Sequence, residues 1–421
     1  MKCKIEKSTL SGTIHCPPNK SYSHRAVFLA TLAKGKSTIR NILLSRDTLA
    51  TIDACKVFGA GIEIDGSTVT ITGKGEITPQ SSEINASNSG TTIRISAAIS
   101  SLSNHIMTLT GDSSLRKRPM QPLLNALERI GASCKSNNGM PPITVQGRVE
   151  GGLTNISGSV SSQFISALLI AGPLMKNGLV LEIEGDLVSK PYLDATIATM
   201  KKFGVMVDTI LPYKKYGVPY QDYKPTDFVV PSDFSSMALL LAAAVLNGRD
   251  MIIDASIGDL PQGDREMLSH LEKLGVKVNV DKNITVSSPN LLNGGRFDLS
   301  NTPDLLPAMA ILSLKTSKPI EIYNVKHARF KETDRIAIVA KELTKIGVGV
   351  IEKEDGLILE APKTLMGAEM DSSDDHRLFM AFSIAAMFVG NCTVTDPESV
   401  DVSYPTFIQD MNKIGAKITV V

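Results

Sequence analysis

A pattern that recurs about every 70 residues constrains the fold of this 421-residue chain more than any other feature. Six segments of mixed polar and apolar residues end in an apolar residue, then a glycine, then an alanine or a valine. Their glycines are Gly59, Gly131, Gly204, Gly275, Gly347 and Gly415. A glycine after basic residues is typical of a helix C-terminus, because glycine adopts the left-handed conformation there and the helix dipole favours cations. The chain is therefore predicted to contain six equivalent helices in six repeats.

Each repeat is predicted to contain the same strands and helices. A strand-like run follows each glycine, and in most repeats a turn and a second strand come next, as in 61–64 and 68–71. A second helix, apolar on nearly all sides, begins near residues 21, 90, 162, 235, 304 and 376. Helices of that kind are buried. The sequence thus predicts an α/β fold built from six β-α-β-β-α-β units.

The length and the connections predict two domains of three units each. A chain of 421 residues is too long for one ordinary domain. One long irregular connection, 211–227, follows the third unit, and we expect a second crossover near Pro17 and Pro18. The sixth unit stops after one strand, 417–421, and the strand-like residues 3–6 can complete it. We therefore expect an N-terminal lobe of residues 16–226, and a C-terminal lobe of residues 227–421 completed by a strand from 1–15.

The composition argues against several classes of protein. Lysine and arginine (44) nearly balance aspartate and glutamate (43), so no overall basic field attracts nucleic acid or an anionic membrane. The five cysteines lack the paired spacing of a zinc site or a disulfide framework, which fits a reducing cytoplasm. The N-terminus lacks the apolar core of a signal peptide, and the longest apolar run, 237–246, is too short to span a bilayer. We expect a cytoplasmic protein that binds neither metal, membrane nor nucleic acid.

The predicted starts of the buried helices are unusually polar, as in 19–25, 88–94 and 374–377. Helix capping explains their Ser, Thr, Asn and Asp residues, and on its own it accounts for 232–236. Capping does not explain cations inside apolar first turns, where a charge must find a partner. These cations are Lys20, Arg25, Arg94 and Arg377. If the helix N-termini converge, each adds about 0.3–1 kcal/mol of attraction for an anion.

A highly charged segment, 327–335, lies between a strand-like run and a helical run. Its charges could form a solvated helix face, but a strand-to-helix junction also favours bound anions. Neither a phosphate-binding Gly-rich loop nor a dinucleotide fingerprint is present in the sequence, so ATP and NAD are not favoured. We expect substrates that carry phosphate or carboxylate groups.

Nine ordered motifs, spread over the whole chain, resemble the enolpyruvyl transferase family, and within it the branch that acts on shikimate 3-phosphate. They are Pro18-Asn19-Lys20-Ser21 with Arg25, Asn88-Ser89-Gly90-Thr91 with Arg94, Arg116-Lys117-Arg118-Pro119-Met120, Ser161-Ser162-Gln163-Phe164, Ser189-Lys190-Pro191-Tyr192, Pro303-Asp304, Lys331-Glu332-Thr333-Asp334-Arg335, Asp375-His376-Arg377 and Ser403-Tyr404-Pro405. The resemblance implies an inside-out barrel fold of two three-unit domains, joined by two crossovers, that close over substrate. It also implies transfer of the enolpyruvyl group of phosphoenolpyruvate to the 5-hydroxyl of shikimate 3-phosphate, with release of phosphate and without a metal or organic cofactor.

The resemblance assigns substrate-binding residues position by position. For shikimate 3-phosphate it implies Lys20, Ser21, Arg25, Ser161, Ser162, Gln163, Tyr192, Asp304, Asn324 and Lys331. For phosphoenolpyruvate it implies Lys20, Gly90, Arg118, Gln163, Arg335 and Arg377. Guanidinium groups suit this role because they hold a carboxylate or phosphate at two points.

The implied chemistry needs one proton delivered to C3 of phosphoenolpyruvate and one removed from the 5-hydroxyl, before a tetrahedral ketal phosphate eliminates phosphate. Asp304 and Glu332 are the candidate acid and base, with Lys20 as a third candidate. Asp304 could instead cap a helix and Glu332 could face a helix dipole, but their place in the motifs favours catalysis. Which group moves which proton stays open, and no catalytic role is assigned to His24 or His376.

One position departs from the family pattern. The family usually has lysine just before the Ser-Tyr-Pro motif, where this chain has Val402. A lost cation would weaken phosphoenolpyruvate binding by about 1.5–3 kcal/mol. Lys326 or Arg329 could compensate.

Three alternatives remain beside this prediction. The related branch that acts on UDP-N-acetylglucosamine generally has a cysteine or an aspartate as acid near 115–118, and this chain has no cysteine there. A non-catalytic anion-binding protein with the same fold is supported only by Val402. A nucleic-acid binder is disfavoured by the neutral charge and by an aromatic content of 5%. The expected partners are the two small-molecule substrates, and a monomer is expected.

Overall fold

The computed structural model describes residues 1–281 and 283–421, and within these residues the chain forms twelve α-helices and 24 strands. The helices are α1 (Lys20–Leu32), α2 (Arg46–Val57), α3 (Gly90–Ser100), α4 (Gln121–Arg129), α5 (Ser162–Ala171), α6 (Lys190–Lys202), α7 (Phe234–Asn247), α8 (Met267–Lys273), α9 (Leu306–Ile311), α10 (Arg335–Lys345), α11 (His376–Val389) and α12 (Phe407–Lys413). The strands are β1 (Lys2–Ile5), β2 (Leu10–His15), β3 (Lys34–Arg40), β4 (Gly61–Asp65), β5 (Thr68–Lys74), β6 (Glu83–Asn85), β7 (Met107–Thr110), β8 (Ser133–Asn137), β9 (Met140–Gln146), β10 (Gly152–Ser157), β11 (Leu179–Glu184), β12 (Asp208–Leu211), β13 (Lys215–Val218), β14 (Asp227–Val229), β15 (Gly248–Asp254), β16 (Lys277–Val280), β17 (Ile284–Ser287), β18 (Gly295–Asp298), β19 (Ile320–Tyr323), β20 (Gly349–Lys353), β21 (Gly356–Glu360), β22 (Glu369–Met370), β23 (Cys392–Thr395) and β24 (Ile418–Val420).

The chain divides into two compact units, each with its own apolar core. The N-terminal unit consists of Pro18–Pro231 with Gly258–Gln262, and the C-terminal unit of Met1–Pro17, Ser232–Ile257 and Gly263–Val421. Residues 227–229 belong to the N-terminal unit because, as β14, they pair in parallel with β3.

Each unit contains three four-stranded sheets in the described residues. The orders are β14-β3-β5-β4, β6-β7-β9-β8 and β10-β11-β13-β12 in the N-terminal unit, and β16-β17-β15-β2, β18-β19-β21-β20 and β22-β23-β1-β24 in the C-terminal unit. Every sheet has one parallel pair of strands, and its other strands pair antiparallel. The α/β fold and the six repeats are thus confirmed. Each of these sheets has two edge strands. The family resemblance implies an inside-out barrel, but the sheets of the described residues form no closed barrel.

The order of elements inside the repeat differs from the predicted β-α-β-β-α-β. From β6 to β9 the chain forms a β-α-β-α-β-β unit, and the same order recurs through both units. A single strand separates the buried helix from the amphipathic one, and three strands lead to the next buried helix. The third of these, such as Glu83–Asn85, is as short as two or three residues, which is too short to give a periodic sequence signal.

The two predicted sets of helices are confirmed. The glycines at the ends of α2, α4, α6, α8, α10 and α12 all have positive φ, between 82° and 106°. The other six helices are buried along nearly their whole length, and α7, α9 and α11 pack against one another in the core of the C-terminal unit. Among the described residues, no helix combines the length and the apolar character needed to cross a membrane.

Candidate active site

Two guanidinium groups converge on Gly90 at the start of α3 in the N-terminal unit. The Nη1 atoms of Arg94 and Arg118 would lie 3.1 and 3.2 Å from a Cβ built on Gly90. Arg94 also donates a hydrogen bond to Oε1 of Gln163 at the start of α5, and its guanidinium lies over the ring of Phe164, 4.9 Å from the centroid. We call Gly90, Arg94, Arg118 and Gln163 the Gly90 cluster. It brings together three predicted phosphoenolpyruvate residues: Gly90 of α3, Gln163 of α5 and Arg118, which follows the 3-10 turn Leu115–Lys117.

The N-termini of α3 and α5 lie at the Gly90 cluster, and each has a serine cap. Ser89 accepts a hydrogen bond from the backbone N–H of Thr92 (3.1 Å), and Ser161 accepts one from that of Gln163 (3.3 Å). Because the caps satisfy only some first-turn N–H groups, the positive helix ends still favour an anion. Arg94 and Arg118 are 7% and 8% exposed, so their charges act where water screens little. The cluster can hold a carboxylate or a phosphate.

The start of α1 places a lysine and an arginine in different surroundings. Nζ of Lys20 lies 3.1 Å from Oδ2 of Asp47, and the lysine side chain is 15% exposed. The Arg25 guanidinium is buried and donates to Oγ1 of Thr196 (2.9 Å) and to the backbone oxygens of Ser21 (2.9 Å) and Tyr192 (3.0 Å). Burial lowers the pKa of Arg25 to about 10. Arg25 therefore ties α1 to α6, while Lys20 presents a cation held by a carboxylate.

The predicted acid and base lie together on one arginine in the C-terminal unit. Arg335, at the start of α10, is 1% exposed. Its Nη1 donates to Asp304 Oδ1, its Nη2 to Glu332 Oε2 and its Nε to Asp375 Oδ2, each at 2.7 Å. Burial opposes the cation, but the three carboxylates raise the pKa of Arg335 above its usual value.

Two more cations reach one of these carboxylates, that of Asp304. Nζ of Lys331 lies 3.5 Å from Oδ1 of Asp304, and Nη2 of Arg377 lies 3.5 Å from its Oδ2. We call these residues, together with Arg335, Glu332 and Asp375, the Arg335 cluster. Asp304 is 11% exposed and Glu332 16%, so both carboxylates are accessible while their partner Arg335 is not. The cluster joins five predicted site residues and can deliver and accept protons beside cations that bind anions.

Besides Lys20 and Arg25, five predicted residues lie outside both clusters. Ser21 offers its backbone oxygen to Arg25, and Ser161 caps α5. The side chain of Asn324 donates to Asp298 Oδ2 (2.7 Å), and its backbone has a φ of 58°. Ser162 is buried in the first turn of α5, and Tyr192 offers its backbone oxygen to Arg25. Asn324 therefore pairs with Asp298, whereas Asp304 and Lys331 pair with each other in the Arg335 cluster.

Two histidines near the candidate site residues, His24 and His327, are neutral near pH 7. Burial, with Lys20 and Arg25, lowers the pKa of His24 well below its usual value, and its Nδ1 lies 2.6 Å from Oγ1 of Thr51. Burial, with Lys331, lowers the pKa of His327 to about 4, although Asp304 opposes this. Burial is the main cause for both rings, and the nearby cations add to it.

Val402 is 1% exposed, at the end of the 3-10 segment Pro397–Val402. Both cations that could replace the lysine expected at position 402 already pair with carboxylates. Lys326 forms an ion pair with Glu354, and Arg329 binds the carboxylates of Asp334 and Glu352. The positive charge of the candidate site in this unit therefore comes from Lys331, Arg335 and Arg377.

Sequence reasoning missed two carboxylates that act on predicted site residues. Asp47, in the first turn of α2, holds Lys20. Asp264 lies in the 3-10 turn Gly263–Glu266, and its charge interacts with those of Asp304 and Arg377. The local pattern around Asp47 looks like an ordinary acidic first turn, and the pattern around Asp264 looks like a surface loop. In the described part of the chain, no group of three or more His, Cys, Asp or Glu side chains is arranged to hold a metal ion.

Comparisons with known proteins agree over the whole chain. A family model described as EPSP synthase (3-phosphoshikimate 1-carboxyvinyltransferase) matches residues 5–411. A 3-phosphoshikimate 1-carboxyvinyltransferase from Nitrosopumilus maritimus is 60% identical over 419 residues, with 99% of each chain covered. One from Methanocella arvoryzae is 41% identical over 428 residues, with 100% of each chain covered.

Solved structures give the same result at greater distance. An EPSP synthase from Acinetobacter baumannii matches with a TM-score of 0.82 at 26% identity, covering 100% of both chains. The enolpyruvyl transferase NikO from Streptomyces tendae matches with a TM-score of 0.78 at 17% identity, covering 99% of this chain and 98% of that one. At that identity the second match concerns the fold alone.

Proposed function

The chain belongs to the EPSP synthase family, and from this we propose that it transfers the enolpyruvyl group of phosphoenolpyruvate to the 5-hydroxyl of shikimate 3-phosphate, releasing phosphate. The activity is that of a transferase in the shikimate pathway, which leads to the aromatic amino acids. The reaction proceeds by addition and elimination through a tetrahedral ketal phosphate.

The Arg335 cluster supports this activity most directly. Two carboxylates, Asp304 and Glu332, share one buried guanidinium, and Asp304 also lies beside the cations of Lys331 and Arg377. A reaction that moves two protons beside two anionic substrates needs carboxylates and cations within reach of each other. We assign Asp304 and Glu332 as the acid–base pair, with Lys20 as the third catalytic group.

We assign the substrates to the clusters as follows. Shikimate 3-phosphate is bound by Lys20, Ser21, Arg25, Ser161, Ser162, Gln163, Tyr192, Asp304, Asn324 and Lys331. Phosphoenolpyruvate is bound by Lys20, Gly90, Arg118, Gln163, Arg335 and Arg377. The convergence of Arg94 and Arg118 on Gly90 supports the second set, because a guanidinium binds carboxylate and phosphate in a fork. Arg94 is a further candidate for that set.

In this assignment Arg335 binds a substrate anion in addition to its carboxylate partners. Its guanidinium already binds three carboxylates, so a substrate anion that contacts it must share it with Asp304 or Glu332. We propose that the arrival of phosphoenolpyruvate loosens one of these pairs. A carboxylate released in this way becomes more basic and can take up a proton.

The remaining assignments concern conditions and assembly. We propose that the enzyme works as a monomer in the cytoplasm and needs neither a metal nor an organic cofactor. The five cysteines are unpaired, which suits a reducing compartment. Activity should survive a chelator, and light scattering should give the mass of one chain.

Phosphate release tests the proposed function. The purified protein should release phosphate only when both shikimate 3-phosphate and phosphoenolpyruvate are present. Asp304→Ala should abolish release, whereas Asp53→Ala, which removes an exposed aspartate of α2 that pairs with Lys56, should retain most of it. Release that needs only one substrate, or that persists in Asp304→Ala, would contradict the proposal. Turnover with UDP-N-acetylglucosamine instead would assign the acceptor to the related branch.

A further inference from the structure

Asp264 is a buried carboxyl group that the proposed reaction does not use. It is 3% exposed, and Oγ of Ser235, in the first turn of α7, donates a hydrogen bond to its Oδ2. Its Oδ1 is buried and has no hydrogen-bond partner among residues 1–281 and 283–421. A charged oxygen without a partner costs far more free energy than a neutral one. The surroundings of Asp264 therefore favour a protonated carboxyl.

The charged groups that face Asp264 come from three elements. Asp304, in the 3-10 turn Pro303–Leu305, and Asp233, the N-cap of α7, are negative, and Arg377 of α11 is positive. Asp233 already accepts hydrogen bonds from the Ser235 N–H and the Ser236 hydroxyl. Arg377 is shared with Asp304, whose Oδ2 lies 3.5 Å from its Nη2. The cation that interacts with Asp264 is thus also engaged with another carboxylate.

The three positive and three negative charges of the Arg335 cluster already balance without Asp264. The cluster contains three cations (Lys331, Arg335, Arg377) and three carboxylates (Asp304, Glu332, Asp375). An ionised Asp264 would add a fourth negative charge. Burial and the charge of Asp304 raise the pKa of Asp264 to about 7, although Arg377 and Ser235 oppose the shift. Loss of this proton therefore falls in the neutral pH range.

We propose that Asp264 holds a proton in the free enzyme and thereby keeps Arg377 available to the phosphoenolpyruvate anion, which makes Asp264 a positioning residue for donor binding. The inference rests on the proposed function, because it takes phosphoenolpyruvate as the ligand of Arg377. When the proton leaves, the new negative charge compensates Arg377 and repels the incoming carboxylate or phosphate. Donor affinity then falls, while the acid and base of the reaction stay in place.

The test is the pH profile of the KM for phosphoenolpyruvate in wild type and in Asp264→Asn. Asparagine has the same shape, stays neutral and keeps an acceptor for Ser235. Near pH 6 the two proteins should have similar KM values. Above about pH 8 the wild-type KM should exceed that of Asp264→Asn by about fivefold, the effect expected for one poorly screened charge. The kcat should change less than the KM, since the acid and base are untouched.

Two further variants keep the result interpretable. Glu342→Gln removes another buried carboxylate of the same unit, one that pairs with Lys345 and the Asp371 N–H, and it should show the wild-type profile. Ser235→Ala removes a hydrogen bond that favours the ionised form of Asp264, so its rise in KM should occur at higher pH than in wild type. Ser235→Ala also tests the inference if Asp264→Asn does not fold.

Infrared difference spectra of wild type and Asp264→Asn detect the proton without any turnover. A protonated-carboxyl carbonyl band should be present at low pH in wild type, should disappear as the pH rises through about 7, and should be missing in the variant. Identical KM profiles in wild type and Asp264→Asn would overturn the inference even with turnover intact. Absence of turnover would defeat the proposed function, and phosphoenolpyruvate titrations by calorimetry over the same pH range would then decide whether Asp264 controls anion binding. If calorimetry showed no pH-dependent difference in phosphoenolpyruvate affinity between wild type and Asp264→Asn, the inference would be overturned. The absence of the carbonyl band from wild type would overturn it as well.

Discussion

Gly90 shows how a missing side chain makes room for an anion site. A Cβ at this position would lie 3.1 Å from Arg94 Nη1, 3.2 Å from Arg118 Nη1 and 3.4 Å from Gln163 Oε1. These distances are tighter than ordinary contacts, so both guanidinium groups must move to accept a methyl group. The glycine is needed here for close approach rather than for an unusual backbone conformation.

We predict that Gly90→Ala raises the KM for phosphoenolpyruvate by about tenfold, equivalent to about 1.4 kcal/mol, because the arginines are displaced from the anion. The KM for shikimate 3-phosphate should change less. Gly217→Ala is the matched control, since its added Cβ would meet its nearest neighbour at 3.5 Å, an ordinary contact. Steady-state kinetics with each substrate varied in turn measures both effects. Equal KM values in Gly90→Ala and wild type would remove Gly90 from the donor site.

Lys20 depends on a carboxylate that no motif includes. Asp47 is 4% exposed and holds Nζ of Lys20 at 3.1 Å. We predict that Asp47→Asn lowers kcat by about 10- to 100-fold, because a functional group displaced by about 1 Å can lose up to about 100-fold in rate. In a Lys20→Met background the same substitution should have little further effect, because the two residues then act as one unit. Additive losses in the double variant would show that Asp47 acts independently of Lys20.

At the scale of single elements, two helices of the C-terminal unit have aspartate caps in contrasting surroundings. Asp375 caps α11, is fully buried and also holds Arg335. Asp334 caps α10, is 38% exposed and holds Arg329. Both side chains accept from a backbone N–H and from a guanidinium, so they differ mainly in burial.

Burial should decide the cost of neutralising each cap. We predict that Asp375→Asn lowers the free energy of unfolding by about 3–5 kcal/mol, because it leaves part of a buried charge pair uncompensated. Asp334→Asn should cost no more than about 1 kcal/mol, since water screens its ion pair and asparagine still caps the helix. Urea unfolding followed by circular dichroism measures both values. Similar losses in the two variants would show that burial does not decide the cost of neutralising a cap.

The same scale shows what the sequence could and could not predict. The six glycines and the apolar helices were predictable because each signal lies within one element of about ten residues. The order β-α-β-α-β-β was not, because strands such as Asp227–Val229 are too short for a pattern and form only by pairing with distant strands. The motifs predicted Arg335, Asp304 and Glu332 as site residues, and the structure places these three in contact. Contacts such as that of Asp47 with Lys20 join residues of different helices and depend on packing, so no motif predicts them.

At the scale of the whole molecule, the first residues of the chain complete a sheet formed by the last. β1 lies between β23 and β24 and pairs antiparallel with both. Cys3 is fully buried and Ile5 is 1% exposed, so this strand also contributes to the core of the C-terminal unit. Without it, β23 and β24 would each present unpaired backbone groups over a strip of exposed core.

Deletion of residues 1–6 should therefore destabilise the C-terminal unit selectively. We predict that its denaturant midpoint falls while the N-terminal unit, which has its own core, keeps the wild-type transition, so that one chain unfolds in two steps. Lys4→Ala, at an exposed position of the same strand, should have an effect within about 0.5 kcal/mol. A synthetic peptide of residues 1–6 added in trans should restore part of the stability and of phosphate release, because it can re-form both backbone ladders. Hydrogen exchange resolved by peptide would assign each transition to its unit. If both units lost protection together, folding of the two would be coupled, and the terminal strand would stabilise the entire chain rather than its own unit.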